Sequence, residues 1–156
     1  MKSPLMRRLR ASPFLLAAAL AAAVPGAQAG DIVHRELAGA DYEEVRQALV
    51  EAIENEGLVP GAVSHFGDML HRSDATLHHG GDIYARAEIF SFCSIAVAAK
   101  LVQENPDRIV DCPLTIALYR LKGSQAVTLV FRPREESAAA NDLMRRITER
   151  TAEQFR

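Results

Sequence analysis

Residues 114–132 read LTIALYRLKGSQAVTLVFR. Two apolar runs, Leu114–Leu121 and Gln125–Arg132, flank Lys122-Gly123-Ser124. A three-residue connection with a central glycine is the pattern of a β-hairpin. Pro133 ends the second run, because proline has no N–H to give to a ladder. An antiparallel strand pair therefore anchors this chain, and the remaining elements are read outward from it.

Upstream, Ile83–Phe92 reads as a long strand. Alternation places Tyr84, Arg86, Glu88, Phe90 and Phe92 on one face and Ile83, Ala85, Ala87 and Ile89 on the other. Between that strand and the hairpin, Ser94–Glu104 reads as a helix with Ile95, Ala98, Ala99 and Val102 inward, ended by Asn105-Pro106. Near the start, residues 31–37 (DIVHREL) look extended. Asp41 then opens a helix, with Glu44 three positions on as in a capping box. Tyr42, Val45, Leu49, Ala52 and Ile53 recur at helical spacing, while Glu43, Arg46, Glu51 and Glu54 face away. Gly57 stands where a left-handed cap is wanted.

A strand-like segment, Ala62–Phe66, leads into a polar stretch, Gly67–Asp82, with at most a short helical turn near Asp68–Arg72. After the hairpin a third helix runs from about Ser137 to the C-terminus, with Ala140, Leu143, Met144, Ile147 and Phe155 inward. The expected order is β-α-β-β-α-β-β-α. The expected class is α+β, a mostly antiparallel sheet with helices packed on one face.

The chain has 156 residues, 49% hydrophobic and 24% charged, with two cysteines. These are globular proportions, which exclude a collagen-like, disordered or disulfide-dense chain. The first 29 residues are of a different kind. Lys2, Arg7, Arg8 and Arg10 precede an apolar run of 11 residues, Phe14–Val24, then Pro25-Gly26 and Ala27-Gln28-Ala29. That order is a secretory signal peptide cut after Ala29, leaving residues 30–156 as a single domain in the periplasm or medium. As a helix the run reaches about 16 Å, short of a hydrocarbon core of about 30 Å, so no membrane span is expected after cleavage. Four of the 18 basic residues and none of the 20 acidic ones lie in the leader, so the remainder carries about −6. That balance argues against nucleic acid, which calls for a dense basic footprint.

The helix closed by Gly57, the run Glu88-Ile89-Phe90-Ser91-Phe92-Cys93, the exit Glu104-Asn105-Pro106-Asp107, and Asp111-Cys112-Pro113 before Leu114–Tyr119 together resemble the bacterial domain of unknown function 302. The resemblance covers about residues 32–134, and His65-Phe66-Gly67-Asp68-Met69-Leu70 is similar to secreted members. It implies a compact α+β domain, often paired into homodimers, and no established reaction. Many members read proline then cysteine where this chain reads Cys112-Pro113, which displaces by one position any role carried over to that thiol.

Cys93 and Cys112 are the only cysteines. If the strands before and after the second helix are antiparallel neighbours, the two thiols fall close; across a parallel crossover they sit at opposite sheet ends. The hairpin and the family resemblance favour the first arrangement, and a structural disulfide is expected, as export allows. Two buried free thiols are the alternative.

Candidate chemistry is sparse. Arg86 and Glu88 among Tyr84 and Phe90 could line a ligand pocket, although an exposed sheet face is commonly mixed as well. His71, His78 and His79 with Met69 are the candidate metal ligands, since imidazole and thioether suit copper, but their spacing matches no strong zinc signature. There is no C-x-x-C-H, so covalent haem is excluded, and the cofactor, if any, is unknown. No G-x-S-x-G, Walker A or G-x-G-x-x-G run occurs, so no catalytic residue is assigned. Two functions stay open: a non-catalytic periplasmic binding or accessory module, and a thiol-disulfide or sulfur-handling protein using Cys93 and Cys112.

Overall fold

The computed structural model describes residues 31–78, 80, 82–135 and 137–156. The expected leader and its cleavage site after Ala29, and also His79, lie outside the described residues. The described residues form five strands and four α-helices, in the order β1 (Val33–Ala38), α1 (Tyr42–Asn55), β2 (Pro60–Ser64), α2 (Phe66–Leu77), β3 (Tyr84–Phe92), α3 (Ile95–Glu104), β4 (Leu114–Leu121), β5 (Ala126–Phe131) and α4 (Ala138–Glu153). A 3-10 turn, Pro106–Asp111, links α3 to β4. The sheet order is β1-β5-β4-β3-β2, and every neighbouring pair is antiparallel. The α+β class is as expected. No described helix is long and apolar enough to cross a membrane.

The hairpin forms as its glycine demands. Gly123 has φ +79°, a left-handed value that glycine alone adopts without strain. α1 also starts and stops where its caps predict. Asp41 Oδ1 accepts from the N–H groups of Glu43 (2.8 Å) and Glu44 (3.1 Å), and those two bonds hold its carboxyl below the ordinary range. Gly57, at φ +74°, closes the other end. The inward face of α1 (Val45, Leu49, Ile53) meets Phe90 and Phe92 of β3, Ile116 and Leu118 of β4, and Met144 and Ile147 of α4 in one buried core. Each such side chain contributes about 1.5–3 kcal/mol by leaving water.

α1, α3 and α4 feed this one core from the same side of the sheet. Glu56, just past α1, accepts two bonds at Oε2 from the Arg146 guanidinium of α4 (2.9 and 3.2 Å). Those bonds from Arg146 hold the Glu56 carboxyl below its ordinary value of 4.5. A lowered folded-state pKa stabilises fully above the unfolded value and is lost as pH falls through the folded one. Glu56→Gln should therefore leave acid melts flatter below pH 4.5. An unchanged acid limb would show that the α1–α4 tie contributes nothing.

Three features depart from the sequence reading. First, Gly67–Leu77 is not a loop. It carries α2, three turns long, whose half-buried face is Phe66, Leu70, Ser73 and Asp74. That face is half polar, so apolar periodicity did not reveal it. Phe66 accordingly begins a helix and does not end a strand. β2 stops at Ser64, opposite Ile89, and α2 continues along the edge of β3 that β2 leaves uncovered, a common protection for such edges. A Cβ on Gly67 would lie 2.9 Å from the backbone N of Ala87. Gly67→Ala should push α2 off β3 and cost about 1–3 kcal/mol, read by denaturant melts; a neutral result would mean that α2 does not seat there.

Second, α3 buries Val97 and Leu101, while Ile95 is 81% exposed and Val102 is exposed too. Of the expected stripe, Ala98 and Ala99 are half-buried and Ile95 and Val102 are not inward. Third, the register between Tyr84 and Arg86 slips by one. Tyr84 pairs with Leu121 and Arg86 with Arg120, so Ala85 is the extra residue of a bulge. The slip turns Tyr84 to the face opposite Arg86, Glu88 and Phe90. There it packs edge-on against Tyr119 and Phe66.

The expected proximity of the two cysteines is met. β3 and β4 are antiparallel with Phe92 opposite Leu114, so the end of one strand lies beside the start of the next. Cys93 and Cys112 are joined by a disulfide with Cα atoms 6.3 Å apart. The Cys112–Pro113 peptide is cis.

Candidate functional site

Glu88 stands on the core face of β3, beside Phe90, and is only 4% exposed. A carboxylate in that place is costly unless it is paired and hydrogen-bonded, and α1 and the β2–α2 connection supply three partners. Arg46 of α1 donates Nε–H to Oε2 at 3.0 Å. Tyr42, the first residue of α1, places its hydroxyl 3.2 Å from the same oxygen and 3.2 Å from the Leu118 carbonyl. His65, the single residue between β2 and α2, places Nδ1 3.0 Å from Oε1. Burial, then the Glu88 charge, pushes the Tyr42 phenol well above its ordinary range. It therefore stays protonated and serves as a donor.

A second ring of charge surrounds this one. Arg86, two residues before Glu88, donates NH1 to Glu43 Oε2 at 2.7 Å and lies over the Tyr42 ring at 4.3 Å. Arg46 approaches Glu43 at 3.6 Å and lies over the Phe90 ring. Exposure rises outward: Glu88 is 4% exposed, Arg46 30%, Arg86 49% and His65 59%. The result is a buried carboxylate whose partners Arg46 and His65 reach the surface, while Tyr42 stays buried.

Of the candidate pocket residues, Arg86, Glu88 and Phe90 converge here, while the bulge sends Tyr84 to the other face. Met69 and His71 sit two positions apart on α2, about 200° around the helix. His78 forms the left-handed cap after it, at φ +49°. Among the described residues no group of three or more His, Cys, Asp or Glu is placed to hold a metal ion. The partners of Glu88 were not singled out in the sequence. A signal existed: Tyr42 lies on the inward stripe of α1 and Glu88 shares a face of β3 with Phe90 and Phe92, and a buried phenol and a buried carboxylate both require partners.

A second feature lies at the other end of β3. An open groove of about 590 Å³ is walled by Gly57–Val59 and by the first turn of α3, and is lined by Ser91, Cys93 and Pro113. Gly61 passes so close to Ser91 that a Cβ would lie 3.0 Å from its carbonyl oxygen. Ser91 donates its hydroxyl to the Ala62 carbonyl at 2.7 Å.

A family model for the domain of unknown function DUF302 matches residues 33–156, nearly all the described chain and through α4 to the last residue. The chain belongs to the DUF302 family. No curated protein matches this DUF302 domain. Its fold is similar to the crystal structure of an uncharacterized conserved DUF302 protein from Bacillus stearothermophilus, with a TM-score of 0.57 and 16% identity. That match covers 80% of this chain and 94% of the other. At that identity the likeness shows the shared fold of the DUF302 domain.

Proposed function

We propose that this DUF302 domain is an exported, non-catalytic binding module that takes a small polar ligand at the Glu88 cluster. The observation that carries the reading is His65, whose Nδ1 is fixed by a buried carboxylate while its ring is 59% exposed. With Nδ1–H given to Glu88, Nε2 is left facing outward as an acceptor. Arg86 supplies guanidinium N–H groups nearby and Glu43 a surface carboxylate. A small zwitterion suits such a set, with its carboxylate on Arg86 and its amine on His65 and Glu43. The leader-like residues 1–29 support export.

The test is a thermal-shift panel of the free amino acids. At least one should raise the melting temperature, since ligand at 100 times its Kd stabilises by about 2.7 kcal/mol. The shift should vanish in Glu88→Gln and His65→Ala. No shift with any amino acid at millimolar concentration would end this reading.

One observation favours a second reading, thiol-disulfide exchange: the Cys93–Cys112 bond is closed, and Cys93 is exposed in the groove.

A further inference from the structure

The two sulfurs of the disulfide are not equivalent. Cys93 is exposed and lines the groove, whereas Cys112 is half-buried and does not line it. Thiol-disulfide exchange proceeds by attack of a thiolate on whichever sulfur it can reach, so access selects Cys93. Cys93 also precedes Ser94, the N-cap of the ten-residue helix α3. A thiolate released there meets the positive end of a helix, an environment that lowers thiol pKa. Cys112 instead follows the C-terminal end of the 3-10 turn and has no such help.

The groove around Cys93 is apolar at its rim. Val59 and Ile95 are each 81% exposed, and both line it. Large side chains left this open at one spot, beside a bond open to attack, indicate what the groove receives. We infer that Cys93 is the sulfur attacked in an exchange reaction, and that the substrate is an extended peptide dithiol with apolar residues flanking its thiols. This rests on the thiol reading above and gives it a direction and a substrate class.

The reaction balances in two steps. A peptide thiolate attacks Sγ of Cys93; the peptide–Cys93 bond forms, the Cys93–Cys112 bond breaks, and Cys112 leaves as a thiolate that takes up a proton. The second peptide thiol, deprotonated, then attacks the peptide sulfur of the mixed bond and expels Cys93 as a thiolate. The peptide loses two electrons and becomes a cyclic disulfide, while the protein gains them as two thiols. α3 assists the second step, because a leaving thiol of lower pKa departs faster.

The experiment uses the folded, oxidised protein and two synthetic peptides. Each carries one cysteine, so that no second thiol of the same peptide can resolve the mixed disulfide; leucines flank the thiol in one and glutamates in the other. After acid quench, the adduct is located by peptide mapping. The expected result is an adduct on Cys93 with a free thiol on Cys112, formed at least about tenfold faster with the leucine peptide. Adduct on Cys112, or equal rates for the two peptides, would overturn this inference and leave exchange itself standing. If neither peptide reacts with folded protein while both react once it is unfolded in denaturant, the thiol reading falls as well.

Discussion

Replacing Glu88 by alanine should destabilise the domain by about 3 kcal/mol. Removing one partner of a buried ion pair costs about 3–5 kcal/mol, because the other charge is left without compensation. Arg46 and His65 keep some access to water, which places the expected loss at the lower end. Three donors from α1 and from the β2–α2 connection lose their common acceptor at once. Glu88→Gln should cost less, since the amide keeps one acceptor oxygen and the shape. Tyr42→Phe should cost about 1 kcal/mol, the net worth of one hydrogen bond. Urea melts of the three variants check the order. If Glu88→Ala is as stable as Tyr42→Phe, the cluster is not held by the carboxylate.

Removing the disulfide should have an effect of similar size. Cys93 and Cys112 are 19 residues apart. On the chain-entropy model, closing such a loop stabilises by about 3 kcal/mol, because the unfolded chain has fewer conformations to lose. The double substitution Cys93→Ser, Cys112→Ser should lower stability by that amount in equilibrium melts under non-reducing conditions. The wild type melted in a reducing buffer should match the variant. No difference between oxidised and reduced wild type would mean that the bond does not hold the α3 segment, or does not form.

What could be read beforehand follows from the range of the forces involved. α1 was legible because its signals are local: Asp41 caps it, Gly57 closes it, and five apolar residues repeat at helical spacing. The β4–β5 hairpin was legible for the same reason, through Gly123. α2 was hidden because the face it turns inward includes Ser73 and Asp74, whose partial burial comes from lying along β3. The bulge at Ala85 left no mark in the pattern of β3, yet it alone decides that Tyr84 leaves the site. α3 misled because alanines and branched residues cover most of its surface, so spacing alone could not choose Val97 and Leu101.

The site shows the same division. Arg86, Glu88 and Phe90 were placed together by the alternation of one strand. Tyr42, Arg46 and His65 reach Glu88 from 46, 42 and 23 positions away, across contacts that only the folded sheet creates. Arg46 was read as facing solvent, and on its own helix it does lean that way. Its long stem lets the guanidinium fold back over Phe90 to the carboxylate. The disulfide was foreseeable because antiparallel pairing of β3 with β4 leaves its two ends side by side.

The proposed ligand site of this DUF302 domain is the Glu88 cluster. It is tested most directly by NMR on the ¹⁵N-labelled protein, titrated with whichever amino acid gives the largest thermal shift. The largest saturable shifts should fall on the His65 ring nitrogens and the Arg46 and Arg86 side-chain N–H groups, while Cys93 and the start of α3 do not move. Shifts gathered around Cys93 and Ile95, with the His65 ring unchanged, would contradict it.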